Sequence, residues 1–119
     1  MQVLLVDDDP TIVRLLELNF RLAGFSVHSV TSGEDALAEA EQDPPDAVVL
    51  DVMMPGLDGI EVCRRMRAIS SLAQTPVVFL TARGEAVIDD VPGPVEVVSK
   101  PFDPAHVVDV VRSRLRGSA

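Results

Sequence analysis

The chain has 119 residues and a formal charge of −9, which allows one domain with a real core but no basic face to grip nucleic acid or an anionic membrane nonspecifically. Its single cysteine, Cys63, excludes an internal disulfide, no charged start followed by an apolar stretch marks a secretory leader, and its apolar runs are too short for a membrane span, so a cytoplasmic setting is expected. Four Phe and no Trp or Tyr leave little to stack on a base, sugar or flavin; the acidity points to cations or basic partners.

In chain order, β-branched runs alternate with stretches of helical period. "VLLV" at 3–6 is the first strand. Asp9-Pro10 then opens a helix, because the carboxylate accepts from orphan amides while proline fits the first helical position. That helix carries Ile12, Leu15, Leu16 and Leu22 as its apolar set and stops at Gly24. "FSVHSV" at 25–30 alternates, as an edge strand does. Ser32 with Asp35 reads as a capping box, and its helix ends before Pro44-Pro45. "AVVL" at 47–50 is a strand apolar throughout, followed by a helix opened by Asp58 with Glu61, whose Ile60, Cys63, Met66 and Ile69 share a face. "VVFL" at 77–80 and "VEVV" at 95–98 complete five strands, with "GEAVIDDVPGP" at 84–94 leaving room for one or two helical turns before the prolines. Asp103-Pro104 repeats the opening device of the first helix and leads into Val107, Val108, Val111 and Leu115. This alternation implies an α/β fold with a parallel sheet covered by helices on both faces, and a short or degraded fourth helix.

Polar residues interrupt the pattern at equivalent places. Asp7 and Asp8 follow the first strand, Asp51 the third, Thr81 the fourth and Lys100 the fifth. In a parallel sheet all are carboxyl ends, where open α/β sheets bind ligands at the point of strand-order reversal. Three carboxylates converging there repel one another unless a cation sits among them. Few all-oxygen ligands, with room for waters and a phosphate, fit Mg²⁺. Lys100 and Thr81 suit phosphoryl oxygens. Asp51, opening the loop "DVMMPGLDG", is the candidate nucleophile, and attack on phosphorus gives an acyl phosphate. Asp9 is left as the helix cap, and Cys63 as core. His28 and His106 lack partners at ligand spacing and are read as surface. "MM" at 53–54 is read as loop packing and "RSRLR" at 112–116 as solvated surface complementing the last helix's dipole.

The pieces "LLVDDD", "VVLDVMMPGLDGIEVCRRMR", "PVVFLTAR" and "SKPF", in this order, make the whole chain resemble the receiver domain of two-component response regulators, the CheY-like superfamily. The resemblance implies a flavodoxin-like, doubly wound, five-stranded parallel sheet of order 2-1-3-4-5, with residues 1–119 forming one receiver domain and a linker beginning after 115. It implies that Asp7 and Asp8 hold Mg²⁺ with Asp51 and the backbone carbonyl of Met53. Asp51 is then the phosphoacceptor, Thr81 and Lys100 engage the phosphoryl group, and Lys100-Pro101 is a cis bond. Met53 and Arg83 flank the approach of water. Such a protein is a regulatory switch rather than an enzyme, assisting its own phosphorylation and dephosphorylation. A sensor histidine kinase is its phosphodonor, a homodimer or downstream effector receives the signal, and the domain itself contacts neither nucleic acid nor membrane. The family usually places an aromatic shortly before the lysine; here Val97 stands there, and the interval from Thr81 to Lys100 is shorter than usual.

Two other function classes share these features. A degenerate receiver would act as an unphosphorylated docking or dimerisation module. A hydrolase with an aspartyl nucleophile wants a second acid two residues later, where this chain has Met53. Nucleotide binding lacks both G-x-G-x-x-G and G-x-x-x-x-G-K-[ST].

Overall fold

The computed structural model describes residues 1–82 and 91–117. In chain order these are β1 (Gln2–Val6), α1 (Pro10–Leu22), β2 (Ser26–Val30), α2 (Gly33–Gln42), β3 (Ala47–Asp51), α3 (Gly59–Arg67), a 3₁₀ turn (Ser70–Leu72), β4 (Val77–Thr81), β5 (Val95–Ser99) and α4 (Pro104–Gly117). All strand pairs are parallel and the order is β2-β1-β3-β4-β5, the flavodoxin-like sheet that was expected. The short or degraded fourth helix expected within 84–94 lies, for residues 84–90, outside the described residues, as does Arg83.

The central strands are apolar on both faces because each face meets a different helix layer. Leu4, Val6, Val48, Leu50, Val77 and Phe79 pack with Val62, Cys63 and Met66 of α3 and Ala36 and Ala40 of α2. Their sequence neighbours Val3, Leu5, Ala47, Val49, Val78 and Leu80 pack on the other face with Leu16 and Phe20 of α1 and Val107 and Val111 of α4. The two-residue period of a strand makes this division. β2, at the sheet edge, keeps every residue at least partly accessible.

Each helix start is fixed by the residue expected to fix it. Asp9 Oδ1 accepts from the Thr11 amide at 2.9 Å, Ser32 Oγ from Asp35 at 3.1 Å, Asp58 Oδ1 from Glu61 at 2.9 Å and Asp103 Oδ1 from Ala105 at 3.0 Å. The end of α1 is a Schellman turn: the Phe25 amide reaches the Phe20 carbonyl at 3.0 Å, and the Gly24 amide reaches Arg21 at 3.0 Å. Gly24 takes the positive φ this turn demands, 95°. The rings of Phe20 and Phe25 close it edge to face, with centroids 5.2 Å apart.

The apolar face of α1 differs from the one expected. Val13, Leu16 and Phe20 face the core, whereas Leu15 and Leu22 are 43% and 78% exposed. Two leucine sets at helical spacing run along this helix, and only contact with the sheet decides between them. The arginines 112–116 also depart from a purely solvated role. Arg112 Nη2 donates to the Ala23 carbonyl at 2.9 Å, and Arg114 pairs with Glu96 and donates to the Val95 carbonyl, both at 2.9 Å. They tie α4 to the end of α1 and to β5.

Arg67, the last residue of α3, makes a comparable tie across the amino edge of β4 and β5. Its guanidinium donates to the carbonyls of Leu72 (2.9 Å), Thr75 (2.7 Å), Pro92 (2.8 Å) and Pro94 (3.1 Å). Gly93, at φ 86°, has no room for a side chain there, since a Cβ would collide with that guanidinium. No described helix is long and apolar enough to cross a membrane.

Candidate phosphoacceptor site

β1 and β3 are adjacent, so the residues at their carboxyl ends meet. Asp51, the last residue of β3, is 3% exposed, and Asp7, the residue after β1, is 1% exposed. Asp8 is exposed at the rim. One oxygen from each of the three lies within 4.8 Å of the others. From the other side, Lys100 follows β5 and sends its Nζ to 3.2 Å from Asp51 Oδ1 and 3.7 Å from Asp7 Oδ2. Its own amide donates to the Thr81 carbonyl at 2.8 Å, and the Lys100-Pro101 bond is cis, as expected. Thr81, the last residue of β4, is buried at the same edge. Convergence of Asp7, Asp8, Asp51, Thr81 and Lys100 at one end of the sheet thus follows from register alone.

The three consecutive acids have separate structural tasks. Asp9 caps α1. Asp7 turns inward and its Oδ1 accepts the Asp9 amide at 2.9 Å, which starts the chain's turn from strand to helix. Its Oδ2 is buried with no hydrogen-bond donor among the described residues. Burial, with the charges of Asp51 and Asp8, pushes the Asp7 carboxyl up to about 6; the Asp9 amide and Lys100 only partly oppose this. Among the described residues, three carboxylates therefore face one ammonium, and a buried carboxylate oxygen lacks a donor. A hard divalent cation fits that donor set, since it takes oxygen ligands and offsets the repulsion.

The loop after Asp51 is anchored at both ends. The Val52 amide donates to the Leu80 carbonyl and the Gly59 amide to the Val52 carbonyl, both at 3.0 Å. Val52 and Met54 are buried, while Met53 is 61% exposed. The reading of both methionines as packing therefore holds for Met54 alone. The Met53 amide lies 3.4 Å from Asp51 Oδ1, beside the acidic cluster. Gly59, whose importance spacing did not reveal, has no room for a side chain: a Cβ would collide with the Asp51 carbonyl oxygen. Cys63 is fully buried, and burial raises its thiol pKa despite the opposing charge and hydrogen bond of Arg67. His28 is exposed with Glu39 3.8 Å away, and His106 is exposed too.

A parallel sheet of this order with an acid-lined carboxyl edge defines a class that sequence comparison specifies further. Residues 3–112 match the response regulator receiver domain model, and the chain belongs to that family. It is 41% identical over 120 residues to the alkaline phosphatase synthesis transcriptional regulatory protein PhoP of Bacillus subtilis, covering 98% of this chain and 49% of that protein. It is also 41% identical to the DNA-binding response regulator MtrA of Mycolicibacterium smegmatis, covering 97% of this chain and 50% of that one. The chain thus spans about half the length of the curated relatives it matches. Among solved structures, the receiver domain of sensor histidine kinase PA1611 from Pseudomonas aeruginosa PAO1, with a magnesium ion coordinated in its active-site cleft, superposes with a TM-score of 0.87 at 28% identity, covering 97% of both chains. The receiver domain of the Francisella response regulator 1452 gives a TM-score of 0.88 at 26% identity, covering 99% of this chain and 98% of that one.

Proposed function

We propose that the protein is a phosphorylatable signalling switch that takes a phosphoryl group from a sensor histidine kinase onto Asp51. The observation that carries this reading is the placement of Asp51 at a buried strand end, with Lys100 Nζ at 3.2 Å and two further carboxylates beside it. In this reading Asp7, Asp8, Asp51 and the Met53 carbonyl hold Mg²⁺, which when bound supplies positive charge to offset the carboxylates and the phosphoryl oxygens. An Asp51 carboxylate oxygen attacks phosphorus, a bond from oxygen to phosphorus forms, and the bond to the donor's histidine nitrogen breaks, leaving its electron pair on that nitrogen. Lys100 shifts its ion pair from the Asp51 carboxylate to the incoming group, and the Thr81 hydroxyl donates to another phosphoryl oxygen. Hydrolysis ends the phosphorylated state: a water oxygen attacks phosphorus, the bond from phosphorus to the Asp51 oxygen breaks, Asp51 returns as carboxylate, and inorganic phosphate leaves carrying the water's oxygen.

The acyl phosphate signals only by favouring one of two conformations over the other. Val97 on β5 carries no ring to rotate, and its side chain packs with the core cluster shared by α2 and α3. The readout in this chain therefore works without an aromatic switch, and the recipient is a second copy or an effector.

Incubation with acetyl phosphate, followed by intact mass, tests the reading. A single adduct that requires Mg²⁺ and is absent from Asp51→Asn is expected. No adduct in the wild type favours an unphosphorylated docking or dimerisation module, and turnover of unrelated phosphoesters favours a hydrolase.

A further inference from the structure

The loop carrying Met53 rests its far limb on α2. A Cβ built on Gly33, the first residue of α2, would stand 2.7 Å from the Leu57 carbonyl oxygen and 2.7 Å from Val62 Cγ2. Backbone conformation does not call for glycine there, since Gly33 is not among the residues with positive φ. Space is the remaining reason. Val62 Cγ2 belongs to a buried, β-branched side chain, and the Leu57 carbonyl is main chain, next to the Asp58 that caps α3. Displacing it shifts the carboxyl limb of the loop, and because that limb is pinned just beyond, where Gly59 abuts the Asp51 carbonyl, the shift is passed back toward Met53.

We propose that Gly33, which has no atom in the acidic cleft, is a positioning residue for the phosphoacceptor loop. Its bare Cα seats the Leu57 carbonyl, and through residues 52–58 this fixes where the Met53 carbonyl stands relative to Asp51. The consequence for metal binding rests on the reading of Asp7, Asp8, Asp51 and Met53 as the Mg²⁺ ligands.

The chain has no Trp or Tyr, so amide NMR with Mg²⁺ titration is the readout, alongside thermal melting. Gly33→Ala is expected to melt cooperatively, to displace the metal-free amide resonances of the loop from Asp51 to Gly59, and to raise the Mg²⁺ Kd about tenfold, as loss of support behind a metal ligand does. Adding Val62→Ala relieves the side-chain clash and leaves the carbonyl contact, so the double variant should keep the weakened affinity, while Val62→Ala alone melts lower for its lost core methyls but keeps wild-type Mg²⁺ affinity. If Gly33→Ala does not fold, the double variant carries the same test. Unmoved loop resonances with wild-type Mg²⁺ affinity in Gly33→Ala, or full recovery in the double variant, overturns the proposal. A wild type that binds no Mg²⁺ overturns the metal reading instead, and the metal-free resonances then decide the seat by themselves.

Discussion

At the scale of single residues, Asp7 couples the acidic cleft to stability. Its carboxyl titrates near 6 in the fold against 3.8 for the ordinary group. Between those values the folded chain holds a proton that the unfolded chain has released, so stability falls as pH rises through this window and the loss is complete above it. A difference of that size corresponds to a cost on the order of 3 kcal/mol for the charged form. Asp7→Asn keeps the Oδ1 acceptor for the Asp9 amide and removes the charge. Metal-free Asp7→Asn should therefore melt at a higher temperature than wild type at neutral pH, with a flatter dependence on pH from 4 to 6. Equal melting temperatures across that range would show that the cleft stores no such cost. The sequence separated the acid that caps α1 from the pair beside it because only Asp9 precedes proline. It could not show that Asp7 turns inward while Asp8 stays at the rim, since that depends on the hydrogen bond from the Asp9 amide and on the neighbouring strands.

At the scale of elements, the contacts that sequence pattern describes poorly are side chains reaching main-chain carbonyls far away. The apolar pattern gives Arg67, one turn beyond Cys63, no task, yet its planar fork joins the α3–β4 connection to the residues entering β5. Arg67→Ala leaves several partly buried carbonyls without donors and should cost about 2 kcal/mol, seen as a lower melting temperature. Arg67→Lys should recover little of this, because an ammonium cannot match a five-donor planar fork. Full recovery by lysine would reduce Arg67 to a point charge. Local signals behaved differently. All four helix starts were legible because a cap acts within two or three residues of itself. The core face of α1 was not, because Leu15, Leu18 and Leu22 offer a second stripe at the same period, and the choice between stripes is made by the sheet.

At the scale of the whole molecule, the alternating pattern fixes which ends of the strands lie together, and this brings Asp51 and Lys100 to one edge although 49 positions separate them. The strand order itself came from resemblance, since apolar runs carry no information about which neighbour they pair with. The site is also joined to the outer sheet edge: Lys100 continues directly from β5, whose Glu96 and Val95 carbonyl hold Arg114 of α4. In the proposed reading, a change in what Lys100 pairs with would pass along β5 to this contact. Phosphorylation should shift the amide resonances of Val95–Ser99 and of the α4 turn that carries Arg114, in addition to those around Asp51. Shifts confined to the cleft would contradict signalling by conformational change.

The most direct measurement locates the covalent bond itself. After acetyl phosphate and Mg²⁺, borohydride reduces an aspartyl phosphate to homoserine, and peptide sequencing by tandem mass spectrometry reads the position. Homoserine at position 51, dependent on Mg²⁺ and on Lys100, is the expected result. Homoserine at position 7 or 8, or at no position, would contradict the assignment of Asp51 as the phosphoacceptor.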